Sequence, residues 1–257
     1  MRAVTGMPLR PTAGLRDNRT VLLVRSRAAA LVLLVLACTV ASCTTTVEGT
    51  ARYAGTKPSD GKPLVKNSQL PELLPSAAEM GKVMKVPGLL VALKYRKLES
   101  VPEDAISDPH CMGAVFGTVE SVYRGSGYEG VYGHRLLDPA ALTAGRMDAG
   151  VVTFGSAEEA HAFVAKQKDA WRECAGKPLT LKVSNQQVNW NATPPKVSNG
   201  VNVLSRTQEG AGGFGCARGL AASSNVVADV VACSDNSHSV ADHASAIVNL
   251  ILDRVTS

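Results

Sequence analysis

Aromatic side chains are scarce in this chain: they make up 4% of 257 residues, with two tryptophans in all. A domain so short of large rings must build its core from aliphatic side chains. A cationic excess is missing too once the N-terminal segment is set apart. Residues 1–42 hold six Arg and one Asp, which leaves twenty-one bases and twenty-one acids in the remainder. That balance excludes nucleic acid as a partner, because a binder needs positive charge to displace counterions from phosphates. The chain has no G-x-S-x-G elbow, H-E-x-x-H helix or Walker loop. No catalytic residue is therefore assigned, and the chain does not read as an enzyme. Gly210, Gly212 and Gly215 spell GxGxxG, but an extended segment follows where a pyrophosphate cradle needs a helix N-terminus. Asp235, His238, Asp242 and His243 cluster near the C-terminus, yet the two histidines are five residues apart and do not share a helical face. The four cysteines of the body lack the two-to-four-residue spacing of a zinc site. Neither a metal nor a cofactor is expected.

The longest apolar run, Ala28 to Ala41, follows Arg25 and Arg27. It has the length of a signal h-region and falls short of the roughly 20 residues a spanning helix needs. It ends in Val40, Ala41, Ser42 and Cys43, the pattern of a lipobox. Cys43 is the expected lipidation site. A rival cleavage before Cys38 would put bulky Leu36 where a small residue is favoured and leave an odd number of thiols. The reading gives a signal peptide over 1–42, a tether over 43–67 rich in Thr, Gly, Lys, Pro and Ser, and a folded domain over 68–257. The expected location is the outer, extracytoplasmic face of the cell membrane, held there by lipid.

Cys111, Cys174, Cys216 and Cys233 remain, an even set in an exported chain, so two disulfides are expected. Gly213 to Ala222 and Val226 to Cys233 read as strands separated by turn formers. A hairpin centred between Ser224 and Asn225 sets Cys216 opposite Cys233, within disulfide reach. Cys111 then pairs with Cys174 by elimination.

Capping boxes open helices at Ser76 with Glu79 and at Ser156 with Glu159, and a third is expected at Ser239 with Asp242. The periodicity also predicts one helix from Cys111 through Val122 to a stop at Gly125. Gly88 to Leu98, Tyr128 to Leu137, Arg146 to Phe154, Leu179 to Val183, Gln187 to Ala192 and Val201 to Thr207 read as extended. Runs of strands between separate helices indicate α+β, with a central, mainly antiparallel sheet flanked by helices and fastened by two disulfides. Tyr128, Tyr132 and His134 concentrate amphipathic rings in a ring-poor chain, and with Trp190 they are the candidate ligand-binding residues.

The stretch Cys111 to Tyr123, the run Val151 to Phe154 with Ser156, Ala157 and Ala160, the Trp171, Cys174, Ala175, Gly176 ending, and Cys216 with Asn225 to Cys233 resemble the PknH-like extracellular sensor domain. The resemblance runs from about Leu70 to the C-terminus. It implies an α+β domain with an antiparallel sheet, disulfides paired first to second and third to fourth, and a cleft that receives a ligand. The expected function is a lipid-anchored envelope lipoprotein with a non-catalytic, sensor-like domain. Its partners are the membrane, through the anchor, and an unidentified envelope small molecule or protein. Two other readings use the same features. One is an envelope hydrolase with His134 or His238 as general base, and the other is a structural lipoprotein that docks a partner.

Overall fold

The computed structural model describes residues 62–140, 145–183 and 186–255. The signal segment, Cys43 and most of the tether lie outside the described residues. A 3-10 turn at Asn67–Gln69 leads into α1 (Leu70–Leu73) and α2 (Ala77–Met84), followed by β1 (Leu90–Tyr95). After 3-10 turns at Glu103–Ala105 and Pro109–Cys111 come α3 (Met112–Val115), α4 (Glu120–Tyr123), β2 (Tyr128–Leu137), β3 (Arg146–Phe154) and α5 (Ala157–Cys174). Strands β4 (Pro178–Val183), β5 (Gln186–Ala192), β6 (Lys196–Ser198), β7 (Val201–Gln208), β8 (Gly215–Ser223) and β9 (Val226–Ser234) precede α6 (Val240–Val255).

The strands form one sheet in the order β1-β2-β3-β9-β8-β7-β5-β4, with β6 also on β7, and every pairing between them is antiparallel. Side chains alternate between its two faces. On one face α6 lays down Val240, Ala244, Ile247, Val248 and Ile251 against Val203, Ala217, Ala228 and Val230, and α1 and α2 extend this layer with Leu70, Met80 and Met84. Gly219 lets α6 come close, since a Cβ there would sit 3.2 Å from the Ala244 carbonyl oxygen. On the other face α5 turns Phe163, Val164 and Trp171 toward Phe154, Leu220 and Val227. Both interior stripes follow the 3.6-residue period of their helices.

The Ser76 and Glu79 box forms as expected: Ser76 Oγ accepts from Glu79 N, and the Glu79 carboxylate accepts from Ser76 N at 2.8 Å. Ser156 Oγ likewise accepts from Glu159 N at the start of α5. The single helix expected from Cys111 to Val122 is overturned. The chain instead makes a 3-10 turn and two one-turn helices, interrupted at residues 116–119, with Thr118 at φ +47°. The cause is tertiary: Asp229 Oδ2 captures the Thr118 amide at 2.9 Å, a bond that a continuous helix would forbid.

The fold also takes hold of the chain earlier than composition suggests. Val65 donates its N–H to Asn225 Oδ1 at 2.8 Å and accepts from Asn225 Nδ2 at 3.1 Å, and Ser224 Oγ donates to the Pro63 carbonyl. Residues 63–65 are thus clasped to the β8–β9 turn. The amide side chain offers a donor and an acceptor, which lets it mimic a strand neighbour.

Candidate ligand cavity

The register across the sheet builds the site. Arg206 of β7 stands opposite Cys216 of β8, Cys216 opposite Cys233 of β9, and Cys233 opposite Arg146 of β3. These four side chains form one row on the α5 face. The next row on that face is Leu204, Arg218, Val231, Asp148 and Arg135. The helices over this face pack around Tyr123, Phe154 and Trp171, whereas the row carrying the Cys216–Cys233 disulfide borders a cavity of about 690 Å³. Val101, Phe116, Val188, Trp190 and Phe214 supply much of its apolar wall. Volume and lining both suit a small molecule.

The sulfurs of Cys216 and Cys233 are bonded, with Cα atoms 4.0 Å apart, and those of Cys111 and Cys174 are bonded with Cα atoms 5.6 Å apart. The first forms part of the cavity wall. The second ties the 3-10 turn before α3 to the end of α5.

A continuous polar chain runs from behind the wall, at Arg218 and Asp229, onto it at Asp148, Arg135 and Glu99. Arg218, fully buried, donates Nε to Asp229 Oδ1 at 2.8 Å and Nη2 to Asp229 Oδ2 at 2.7 Å, while Nη1 donates to the Gly113 carbonyl. Asp229 Oδ2 also accepts from the Tyr123 hydroxyl at 2.8 Å and from the Thr118 amide. Burial is the largest influence on the Arg218 pKa and lowers it, but the Asp229 charge, the hydrogen bonds to Asp229 and the Tyr123 hydroxyl together outweigh it and the net shift is upward. Burial, with Asp229 beside it, raises the Tyr123 hydroxyl well above its ordinary value. The Thr118 hydroxyl continues the chain to Asp148 Oδ1 at 3.3 Å, where Tyr95 also donates at 2.5 Å. Arg135 then bridges Asp148 Oδ2 at 3.4 Å and Glu99 Oε2 at 2.5 Å. Asp148 is held above the usual carboxylate range by burial, against the pull of Tyr95 and Arg135. Gly133 is required here, because a Cβ would collide with the Tyr95 ring.

Of the four candidates named from sequence, Trp190 stands on the cavity wall. Tyr132 and His134 lie on the opposite, α6 face, where the Tyr132 hydroxyl is 3.2 Å from His134 Nε2 and the Arg96 guanidinium sits 4.8 Å from the Tyr132 ring centre. Burial first, and Lys94 second, lower the His134 pKa. Tyr128 is 36% exposed at the start of β2, its ring edge-on to Tyr123 at 6.0 Å. The fold does not gather these four into one site. Arg206, Arg146, Phe116 and Phe214 line the cavity and were not singled out. The signal for Arg206 was a charge spaced two residues from Leu204 in a strand whose alternation points both inward. Asp235, His238, Asp242 and His243 form no metal-holding group among the described residues.

Antiparallel strands stapled by two disulfides, with helices on both faces, define an extracytoplasmic α+β domain. The chain belongs to the PknH-like extracellular domain family, which matches residues 65–254. It is similar to the serine/threonine-protein kinase PknH of Mycobacterium tuberculosis, with 31% identity over 199 residues, covering 77% of this chain and 31% of that protein. PknH of Mycobacterium bovis matches at the same identity and covers 33% of its own length. The kinase PknJ of Mycobacterium tuberculosis is 29% identical over 151 residues, 58% of this chain and 26% of that one. This chain thus spans about a third of the length of the PknH relatives. The crystal structure of the extracellular domain of PknH from Mycobacterium tuberculosis superimposes with a TM-score of 0.70 at 31% identity, covering 76% of this chain and 98% of that one.

Proposed function

We propose that the chain is an envelope lipoprotein, anchored through Cys43, whose PknH-like domain binds a small molecule in the cavity beside the Cys216–Cys233 disulfide and performs no catalysis. The observation that carries the reading is the cavity itself: about 690 Å³, bounded by apolar side chains with a few charged groups among them. Its lining cysteines are bonded to each other, and its carboxylates, Glu99 and Asp148, both pair with Arg135. Such a wall favours holding a molecule over transforming it.

The two tryptophans give an internal comparison, since Trp190 lines the cavity and Trp171 is sealed in the core under α5. With 5-fluorotryptophan in the full chain, a lipid extract of the cell envelope is expected to shift the fluorine resonance of Trp190 and leave that of Trp171 in place. The melting temperature should rise in parallel. No shift with any envelope fraction would defeat the ligand reading. Cys43→Ala tests the anchor separately: the protein should leave the membrane fraction, and its retention there would refute lipidation at this site.

A further inference from the structure

We propose that the cavity is built for an amphiphilic oxyanion, with an apolar body against Trp190, Phe214 and the disulfide and a carboxylate or phosphate head on Arg206. This inference rests on the cavity being the ligand site and adds the chemical class of its occupant.

Arg206 is 4% exposed, yet among the described residues its one hydrogen bond runs from Nη1 to the Ala114 carbonyl at 3.3 Å. Its Nε is buried without a partner, and no carboxylate lies within ion-pair distance among the described residues. Trp190 Nε1, on the same wall, is a second buried donor with nothing to bond, and the Trp190 ring centre is 5.3 Å from the Arg206 guanidinium. The contrast with Arg218, one row along the sheet, is direct. That guanidinium is as deeply buried but is gripped by both oxygens of Asp229. Holding a buried cation without a counter-ion is costly, and donors left open beside a cavity are suited to an acceptor that binds there. The rest of the lining points the same way. Arg146 adds positive charge, Lys182 is paired with Asp104 at 2.9 Å, and Glu99 and Asp148 are both occupied by Arg135. Burial first, and Arg218 second, push the Arg206 pKa down to about 9, which leaves it charged at neutral pH. Carboxylates and phosphate monoesters meet a guanidinium with the same paired oxygens.

The test uses three probes with one tail: octanoate, octyl phosphate and 1-octanol, titrated into the full chain by calorimetry, with the Trp190 fluorine resonance as locator. One or both anions should bind at least about ten-fold more tightly than the alcohol, the scale of a charge-assisted hydrogen bond. Which anion leads separates a fatty-acid-like from a phospholipid-like occupant. Arg206→Met should erase the difference while the alcohol still binds, and that retained binding shows the variant is folded. Trp190→Phe, which keeps the ring and removes the donor, should weaken the anions a few-fold and leave the alcohol unchanged. Equal binding of all three probes at Trp190 would overturn the oxyanion while preserving the cavity as a ligand site. So would an undiminished anion preference in Arg206→Met. Binding of no probe at Trp190 would overturn the oxyanion and would count against the cavity reading as well.

Discussion

Against α6 the sheet presents mainly Val, Ala and Leu side chains, with Tyr132, His134 and Met147 on β2 and β3, closed by an aliphatic helix stripe; against α5 it presents Arg206, Arg218, Asp148 and Asp229 among the apolar residues. Both faces are removed from water, but by different means. The α6 side is sealed by shape, since interdigitated aliphatic groups need no partner. The α5 side is held by directed bonds: Asp229 alone fastens β8 through Arg218, α4 through Tyr123 and the residue-118 bend through its amide. Apolar groups collapse onto any gap they can fill, whereas a bonded network fixes its members at set distances. A cavity beside the second kind of wall can therefore stay open.

Removing the centre of the network breaks this contrast most severely. Asp229→Ala strands a buried guanidinium and is expected to cost about 5 kcal/mol, read from denaturant unfolding. Arg218→Met combined with Asp229→Leu should recover most of that stability and still disturb the cavity wall, since volume is restored and geometry is not. Next in size, replacing Cys111 and Cys174 together by Ala opens a loop spanning 63 residues and should cost about 4 kcal/mol. The loss should fall on the α5 side, seen as faster hydrogen exchange of the amides of α3 and α4. Ile247→Ala, on the aliphatic face, should cost about 3 kcal/mol and leave probe binding in the cavity unchanged. If binding falls with it, the two faces are not independent.

The smallest effect lies outside both faces. Hydrogen bonds from Ser76, side chain before backbone, and then Arg254 lower the Glu79 pKa from 4.5 to about 2. A depressed carboxyl stabilises above its unfolded value and loses that contribution as pH falls toward the folded one. Glu79→Ala should therefore cost about 1 kcal/mol at neutral pH, and its gap from the native chain should close between pH 4.5 and 2 in thermal melts.

Much of this architecture is legible in the sequence. Both ends of β2 and β3 matched the runs read from sequence, because turn formers or capping residues bound both strands. The two-residue turn at Ser224 and Asn225 set Cys216 opposite Cys233 by parity alone. What failed was whatever depended on distant partners. Helical spacing from Cys111 to Val122 held locally, but Asp229, more than a hundred residues away, claims the amide that would continue it. A bulge after Tyr128 sets that ring opposite Phe154 and turns it to the other face, whereas Tyr132 and His134 share parity, so their common face was readable. Whether that face also carries Trp190 depends on the pairings from β2 across β3, β9, β8 and β7 to β5, and local pattern cannot supply that order. Arg206 stayed hidden for the same reason. Its isolation is the absence, among the described residues, of a carboxylate within ion-pair distance, which no single stretch of chain displays.

The clasp between Val65 and Asn225 gives the domain a pole. Tension arriving from the N-terminal side is delivered at the tip of the β8–β9 hairpin, while Cys233 lies eight residues beyond Asn225, about 26 Å away. Pulling on residues 63–65 would therefore load the Asn225 turn before it reached the disulfide row that borders the cavity.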